Sequence, residues 1–372
     1  MVEIKRYPAN PIMGGNPDLS WGRDQARNPG VIHDGSMFHM VFTATARLGK
    51  PDETMLLGYA KSLDGVNFEC APEPFMAPPA DADAFDHGTL EDARVTQLDG
   101  RYYIAYAGRS LANHRYAAGE RRLGPNQNNN PTWSDNYRRC GLAVTDDWRN
   151  VQRLTPLTSE HLCDANVVLF PERINGKYVF MHRPTPFIPW LLPSLYAPPC
   201  VWLVFADDLT SPWSSNAREM PWNMKDGVDI PDDHLLIRPE YEWERMKVGA
   251  SGVPMPTDDG WLTLYHAVDR QGVYRVGVML LDREDPRRVI ARSPVPIMEP
   301  ETPLEHKGLY PHCIFPCANV VIGDNIYIYY GAADSYVCLA TVSLSRLLDY
   351  VLTCRINPVA QVSQSLDELS MR

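Results

Sequence analysis

Five hairpin signals recur along the chain and limit its fold more than any other feature of the sequence. Each signal is a short turn followed by an alternating strand of aromatic or β-branched residues, with a second strand after a gap. The turns are Asp34-Gly35, Asp99-Gly100, Asn175-Gly176, Asp259-Gly260 and Gly323-Asp324. Turns of this composition between alternating strands are strong hairpin signals. The chain is therefore predicted to be all-β, with five separate antiparallel sheets.

The spacing of the repeat predicts how these sheets are arranged. The turns lie about 65–85 residues apart in a chain of 372 residues. A single sheet cannot bury both of its faces, so we expect the sheets to stack radially as a five-bladed β-propeller. The prediction is one domain, residues 1–372, with blades at roughly 28–68, 92–150, 164–212, 248–290 and 312–345. Helical periodicity predicts a short helix at 344–351, and a peripheral tail is predicted at 352–372.

Two insertions interrupt the repeat. Residues 111–138 are polar and rich in asparagine, whereas residues 184–200 are apolar and rich in proline. Both are predicted to be long loops, because neither composition supports a regular element. An apolar loop is typical of a pocket wall or a subunit contact, so the sequence is compatible with a homo-oligomer.

Charge and cysteine usage argue against several classes of function. The net charge is −11 and there is no stripe of Lys or Arg, so no nucleic-acid partner is expected. No apolar run has the length of a membrane span, and the N-terminal residues do not resemble a signal peptide. The strand-like setting of His312, Cys313 and Cys317 favours buried thiols over a metal site. We therefore expect a cytoplasmic protein with reduced cysteines and with neither metal nor organic cofactor.

Polar residues cluster where the inner strand of each blade is predicted to begin. In residues 86–109, Glu91, Asp92 and Arg94 precede an aromatic strand that ends at Arg109. The innermost strands of a propeller line a central channel, so clusters at their entries should converge on one pocket. Carboxylates and arginines among aromatic residues suit sugar recognition, since the rings stack on the sugar while the charged groups bind its hydroxyls.

Four segments carry a more specific pattern. They are 91–96 (EDARVT), 166–184 (NVVLFPERINGKY followed by HRP), 260–266 (GWLTLYH) and 329–334 (YYGAAD). In this order they resemble glycoside hydrolase family 130, the β-mannoside phosphorylases and β-mannosidases. The resemblance covers most of the chain and also implies a five-bladed propeller. Ala93 replaces a proline that is common in the family, which changes only a backbone preference.

The resemblance implies a mechanism with one catalytic acid, Asp92. This residue protonates the glycosidic oxygen, in the phosphorylases through a hydroxyl of the mannose, and the anomeric carbon is attacked from the opposite face with inversion. A phosphorylase uses inorganic phosphate as co-substrate and releases α-mannose 1-phosphate. A hydrolase uses water and needs a second carboxylate as base. Phosphate is already anionic and needs cationic donors instead.

The resemblance also implies the other site residues. Substrate-binding residues are implied at Asn28, Arg47, Glu91, Arg94, Arg109, Asp164, Tyr330 and Asp334. Phosphate-binding residues are implied at Arg139, His182, Arg183, Lys247 and Tyr265. Asp164 departs from the family pattern, because many members place a basic residue near this position.

The first hypothesis is an inverting phosphorylase that acts on a β-mannoside oligosaccharide and phosphate. One alternative is an inverting β-mannosidase, with Asp164 as its motivation and with a base offered by Glu240, Glu242 or Glu244. A second alternative is a non-catalytic glycan-binding propeller. A fructan or arabinan hydrolase is disfavoured, because Asn28-Pro29 stands where those families place an acid. The sequence predicts neither the linkage nor the acceptor sugar.

Overall fold

Five antiparallel sheets form the blades of a β-propeller. The computed structural model describes residues 2–112, 136, 138–157, 163–185, 198–210 and 235–355. The predicted fold class is confirmed. Most of the two predicted long loops, and the tail beyond residue 355, lie outside the described residues.

In each blade the strands follow one another as a meander. Blade one contains β2 (Gln25–His33), β3 (Phe38–Ala46), β4 (Thr54–Ser62) and β5 (Glu69–Cys70). Blade two contains β6 (Thr89–Leu98), β7 (Arg101–Arg109), β8 (Arg139–Thr145) and β9 (Gln152–Pro156). Blade three contains β10 (Cys163–Leu169), β11 (Tyr178–Thr185), β12 (Val201–Ala206) and β13 (Leu235–Ile237).

The last two blades depart slightly from this scheme. In blade four the first strand is split into β14 (Lys247–Ala250) and β15 (Met255–Thr257), followed by β16 (Gly260–Val268), β17 (Tyr274–Leu281) and β18 (Val289–Arg292). Blade five contains β19 (Ile314–Ile322), β20 (Asn325–Ala332) and β21 (Tyr336–Ser343), and β1 (Lys5–Arg6) adds to its outer edge. Lys5 pairs with Thr341 and Arg6 with Ala340, so a strand from the start of the chain closes the ring.

The first strand of each blade is the innermost one, because these strands contact one another around the channel. This corrects one expectation. The hairpin turns join the first strand to the second, so the strands predicted to be innermost, such as β7, are second strands. The polar clusters therefore lie within the first strands rather than before them. Bulges in β2, β6, β10 and β19 interrupt the alternation and hide the strand pattern in the sequence.

Large side chains fill the wedges between adjacent blades. Trp148 of blade two stacks on His39 of blade one with ring centroids 4.4 Å apart, and it also contacts Tyr102 at 4.5 Å. Trp261 and Tyr265 are fully buried between blades three and four. Burial of one such side chain contributes about 1.5–3 kcal/mol, so these wedges fix the blades around the channel.

Within the ranges that the structure describes, three short helical segments lie outside the sheets. They are a 3₁₀ helix (Glu242–Glu244), α1 (Pro303–His306) and α2 (Leu344–Thr353). The predicted terminal helix is confirmed by α2, where Ser343 Oγ accepts a hydrogen bond from the Arg346 amide as an N-cap. No helix among the described residues has the length and apolar character of a membrane span.

The cysteines, all of which lie within the described ranges, form no disulfide bond. Cys313 and Cys317 are buried, as predicted. Among the described residues there is no group of three His, Cys, Asp or Glu side chains that could hold a metal ion.

Candidate active site

Bulges in the inner strands place polar side chains at one level of the channel. The pairing register shifts at Asn28 in β2, at Asp92 in β6 and at Asn166 in β10. All three residues have left-handed backbone conformations, with φ of +50°, +59° and +57°. Asn and Asp tolerate this region better than most residues, which explains why they occupy the bulges. Neighbouring blades thus repeat one device that presents a polar side chain to the channel.

Asn28 links two carboxylates at the centre of this level. Its Nδ2 donates to Asp92 Oδ1 at 2.8 Å and to Asp334 Oδ1 at 2.9 Å. The backbone N–H of Asp92 donates to Thr43 Oγ1 at 2.9 Å, which fixes the bulge. Arg27 Nε lies 3.3 Å from Asp334 Oδ1. Residues from blades one, two and five therefore meet at one point.

Arg94 braces Asp92 from behind. It is 1% exposed, its Nη1 donates to the Asp92 carbonyl at 2.6 Å, and its Nε donates to the Ser251 carbonyl at 3.3 Å. Its guanidinium also lies 5.2 Å from the Phe315 ring. These contacts tie the bulge of blade two to blades four and five, so Arg94 holds the acid in position.

Glu91 and Arg109 form a second polar pair beside the bulge. Arg109 Nε lies 3.5 Å from Glu91 Oε1, and Arg109 Nη1 donates to the Asn136 carbonyl at 2.9 Å. Burial lowers the pKa of Arg109, and the positive charge of Arg138 lowers it further, while Glu91 opposes the shift. The pair therefore lies directly beside the Asp92 bulge.

Positive charge collects on the blade three and blade four side of the channel. Burial, followed by the charges of Arg183 and Arg138, lowers the pKa of Lys247 well below its ordinary value. Burial and the charges of Arg183 and Lys247 lower the pKa of His266 in the same way. Lys247 Nζ donates to the Tyr274 hydroxyl and lies 4.5 Å from the centre of its ring. Cations held so close to one another in a buried setting favour a bound anion.

Asp164 orients two members of this group. Its Oδ2 accepts from His182 Nδ1 at 2.8 Å, and its Oδ1 accepts from the backbone N–H groups of Ala165 and Arg183 at 2.8 and 3.1 Å. Arg183 Nη1 in turn donates to His266 Nε2 at 3.4 Å. Asp164 and His182 are fully buried. Asp164 therefore lies behind the pocket wall, where it fixes the ring of His182 rather than contacting a sugar.

Four of the implied site residues are not brought to this pocket. The Tyr265 hydroxyl donates to Glu244 Oε1 at 2.8 Å inside the wedge between blades, and the Tyr330 hydroxyl donates to Glu305 Oε1 at 2.9 Å. Strand alternation places the neighbouring residues on the opposite face, where His266 contacts Arg183 and Phe315 and Gly331 packs against Asn28. Arg139 lies over the Phe85 ring, with 5.2 Å between the guanidinium carbon and the ring centre. Arg47 is exposed and paired with Asp52.

Three residues in and beside the cationic group were not predicted as site residues from the sequence, namely Arg138, His266 and Tyr274. For His266 and Arg138 the prediction chose the adjacent residue, Tyr265 or Arg139. A strict count of alternation from the buried Trp261 and Tyr265 would have identified His266. Arg138 immediately precedes β8 and offers no such signal.

Glutamates 240, 242 and 244, the suggested hydrolytic bases, also lie away from the channel. Glu244 is fully buried, and it accepts hydrogen bonds from Tyr265 and from Arg292. Glu242 pairs with Arg245 at 2.8 Å on the surface, and Glu240 lies 3.6 Å from Arg292. These carboxylates therefore form hydrogen bonds and ion pairs beside blade four, away from the channel.

Comparison with known proteins is consistent with this geometry. The family profile described as beta-1,4-mannooligosaccharide phosphorylase, glycoside hydrolase family 130, matches residues 23–353. A 1,2-beta-oligomannan phosphorylase from Thermoanaerobacter sp. strain X514 is 34% identical over 93% of this chain and 99% of its own length. A beta-1,2-mannobiose phosphorylase from the same strain is 32% identical over 93% and 99%.

A solved structure has the same fold. It is the beta-1,2-mannobiose phosphorylase from Listeria innocua in complex with beta-1,2-mannobiose, with a TM-score of 0.71 and 22% identity. The superposition covers 94% of this chain and 99% of that one. With the family profile and relatives above 30% identity matching nearly the whole chain, the protein belongs to glycoside hydrolase family 130.

Proposed function

We propose that this protein is an inverting β-mannoside phosphorylase that acts on β-1,2-linked manno-oligosaccharides. It would transfer the terminal mannosyl group to inorganic phosphate and release α-mannose 1-phosphate. The two relatives above 30% identity are named for β-1,2 substrates, whereas a beta-1,4-mannooligosaccharide phosphorylase from Ruminococcus albus is 25% identical. These identities support the β-1,2 linkage.

The observation that carries the proposal is the cationic group formed by Arg138, Arg183 and Lys247, with the imidazole of His266 beside it. Burial lowers the pKa of both Arg183 and Lys247, and the positive charge of Arg138 lowers both further. A site built for water attack would need a carboxylate base at this place. A phosphate dianion instead needs guanidinium and ammonium donors, which these residues supply.

Asp164, Glu244 and Asp334 do not suit the role of a hydrolytic base. Asp164 and Glu244 are fully buried and accept hydrogen bonds from protein groups. Asp334 accepts from the same nitrogen of Asn28 as Asp92 does, so the two bonded oxygens are at most 5.7 Å apart. Two carboxylates side by side on one amide do not flank a sugar ring from opposite faces, as inversion by water requires.

In the proposed reaction, Asp92 gives its proton to the glycosidic oxygen, through a hydroxyl of the mannose as in related phosphorylases. The C1–O bond breaks, and the bond electrons remain on the leaving oxygen, which becomes a hydroxyl of the shortened oligosaccharide. A phosphate oxygen forms the new bond to C1 from the opposite face. Asn28 and Asp334 would hold the mannose, while Arg94 holds the Asp92 bulge.

The test is to incubate the protein with β-1,2-mannobiose, with and without phosphate, and to follow mannose and α-mannose 1-phosphate by NMR. We expect phosphate-dependent formation of α-mannose 1-phosphate, and slower turnover of β-1,4-mannobiose. Release of mannose at the same rate without phosphate would contradict the proposal and favour the β-mannosidase alternative. Binding of mannobiose with no turnover under either condition would favour a glycan-binding propeller.

The proposal extends to the cellular location. Phosphorolysis needs abundant phosphate, and none of the eight cysteines is in a disulfide, so we propose a cytoplasmic site of action. Fractionation of the native cells, with the protein followed by antibody, would test it. Recovery in an extracytoplasmic fraction would contradict it.

A further inference from the structure

The segment before the inner strand of blade five forms a rigid loop at the mouth of the channel. We call residues 306–312 the mouth loop. Its first anchor is Glu305 of α1, which is fully buried. Glu305 Oε1 accepts from Arg6 Nε at 2.7 Å and from the Tyr330 hydroxyl at 2.9 Å. At the far end, the Cys313 N–H donates to the Glu305 carbonyl at 3.0 Å, so both ends of the loop are fixed to one residue.

The second anchor lies on either side of Asp334. The Tyr310 N–H donates to the Ala333 carbonyl at 3.1 Å, and the Leu309 N–H donates to Ser335 Oγ at 3.0 Å. Gly308 is packed so closely that a Cβ there would lie 2.3 Å from the Ala333 carbonyl oxygen. The mouth loop is therefore held directly against the hairpin that carries the carboxylate bonded to Asn28.

The side chain of Tyr310 remains partly exposed to solvent beside this hairpin. Tyr310 is 42% exposed, although its ring is perpendicular to that of Tyr274 at a centroid distance of 5.0 Å. Tyr274 in turn bonds Lys247 of the cationic group. Tyr310 thus stands between the Asp334 side and the cationic side of the channel, with backbone and ring both fixed. An aromatic ring that is held against Tyr274 and is still partly exposed between these two polar clusters is placed to stack on a sugar ring.

We propose that Tyr310 is the stacking platform for the acceptor sugar, the unit that leaves on phosphorolysis and is glycosylated in the reverse reaction. This inference rests on the proposed function and names one residue that determines acceptor binding. The C–H face of a pyranose is weakly positive and packs on the negative face of an aromatic ring. Tyr310 is already fixed before the sugar arrives, so stacking costs little conformational entropy.

The test separates acceptor binding from donor and phosphate binding. In the synthetic direction, with α-mannose 1-phosphate as donor and D-mannose as acceptor, Tyr310→Ala and Tyr310→Leu should each raise the KM for mannose about five- to ten-fold. The KM for α-mannose 1-phosphate, and the KM for phosphate in phosphorolysis, should change less than about two-fold. Tyr310→Phe keeps the ring face and should behave like the wild type.

A matched control is Val321→Ala in the same blade, since Val321 is 37% exposed and lies near the opposite end of β19. It should leave all three KM values unchanged. The inference would be overturned if Tyr310→Ala and Tyr310→Leu left the acceptor KM unchanged. It would also be overturned if they raised the KM for phosphate instead, which would assign Tyr310 to the cationic site.

A binding measurement keeps the inference separate from the proposed function. Calorimetric titration of β-1,2-mannobiose into Asp92→Asn and into Asp92→Asn with Tyr310→Ala requires no turnover. A five- to ten-fold weaker Kd in the double variant supports the platform even if the wild type fails to phosphorolyse, whereas equal Kd values refute it. Absence of phosphate-dependent turnover in the wild type would refute only the proposed function.

Discussion

At Asp92 the backbone and the side chain are set by different parts of the chain. The bulge of β6 imposes φ +59°, Thr43 holds the amide, and Asn28 holds one carboxylate oxygen. Asp92 is 7% exposed, so its environment excludes most water. A carboxyl group fixed in this way keeps one oxygen in hydrogen bonding while the other can meet a substrate, since no described protein group bonds the second oxygen.

Replacing Asp92 with Asn should abolish turnover but keep the fold. The amide oxygen can still accept from Asn28, while no proton can be given to the leaving oxygen. Loss of a general acid costs about 10²–10⁴-fold in rate, so we expect kcat to fall by about 10³-fold. Steady-state kinetics and thermal unfolding, measured side by side, check this. A variant of normal Tm that keeps more than a tenth of wild-type kcat would show that Asp92 is not the acid.

The lowered pKa of Lys247 predicts the pH dependence of phosphate binding. Burial and the charges of Arg183 and Arg138 cause this shift. The ammonium form binds phosphate, so the KM for phosphate should rise as pH increases through the lowered pKa, earlier than for an ordinary lysine. Lys247→Arg stays charged, so its KM should rise less on the alkaline side, although its altered shape changes the KM at neutral pH.

The measurement is the KM for phosphate between about pH 6 and pH 10 for both proteins, because the titration of phosphate itself is common to them. An identical alkaline rise in the wild type and in Lys247→Arg would exclude Lys247 as the titrating group.

Whether a site residue was predicted correctly depended on the face of its strand on which that residue lies. The resemblance implied Asp92, Asn28 and Asp334 as site residues, and the structure joins these three through one amide. It misplaced Tyr265 and Tyr330, whose hydroxyls bond buried glutamates on the other face of the sheet. The motif containing them is continuous in sequence, but adjacent residues of a strand face opposite sides. A motif match alone therefore cannot choose between Tyr265 and His266.

At the scale of the element, the bulged inner strand organises the site. Each bulge adds a residue whose side chain leaves the regular alternation, and the same place is used in β2, β6 and β10. The hairpin turns were predictable because Asp-Gly and Asn-Gly have few alternatives. The inner strands were not, because a bulge breaks the two-residue period that identifies a strand.

Close packing around Asn28 yields a test of this arrangement. A Cβ on Gly331 would lie 1.9 Å from Asn28 Oδ1, so Gly331→Ala must displace the amide that bridges Asp92 and Asp334. We expect kcat/KM for mannobiose to fall by about 10²-fold, as misplacement of a catalytic group by about 1 Å does. Gly22→Ala is the control, since its Cβ would meet Ala44 at 3.6 Å, an ordinary contact. Equal activity of the two variants would show that the bridge is dispensable.

At the scale of the whole molecule, ring closure depends on a strand of two residues. Besides pairing β1 with β21, Arg6 reaches Glu305 at 2.7 Å, and the Glu305 side chain is fully buried. The sequence predicted five blades but not this closure, because two residues carry no detectable periodicity. Closure is decided by a buried ion pair between positions that are distant in sequence.

Removal of Arg6 should therefore destabilise the propeller. Arg6→Ala leaves a buried carboxylate without its main partner, which costs about 3 kcal/mol of unfolding free energy. The pKa of Glu305 is lowered in the folded state: burial opposes the shift, but the hydrogen bonds from Arg6 and from the backbone N–H groups of Glu301 and Thr302, with the charge of Arg6, together outweigh it. Stability from such a group is present above the ordinary carboxyl range and is lost as pH falls through the folded pKa.

The difference between the wild type and Arg6→Ala should accordingly shrink below about pH 4.5, where Glu305 can be protonated in the variant. Urea unfolding at pH 7 and at pH 4 measures both values. The neighbouring Lys5→Ala is the control, since the Lys5 side chain is exposed and its ammonium lies 3.9 Å from the exposed carboxylate of Glu3. A deficit independent of pH would show that Arg6 acts through packing alone.

The closure of the propeller, where blade five meets blade one, also has a consequence for synthesis on the ribosome. Asn28 and Asp334 are 306 positions apart, yet one hydrogen bond joins them beside Asp92. A nascent chain that lacks its last blade contains Asn28 and Asp92 but cannot yet hold them as the finished pocket does. The blades that are synthesised first therefore keep exposed strand edges until translation is nearly complete. Exposed edges promote aggregation during this time. Catalytic activity should then arise late and in one step, so that turnover reports completion of the chain.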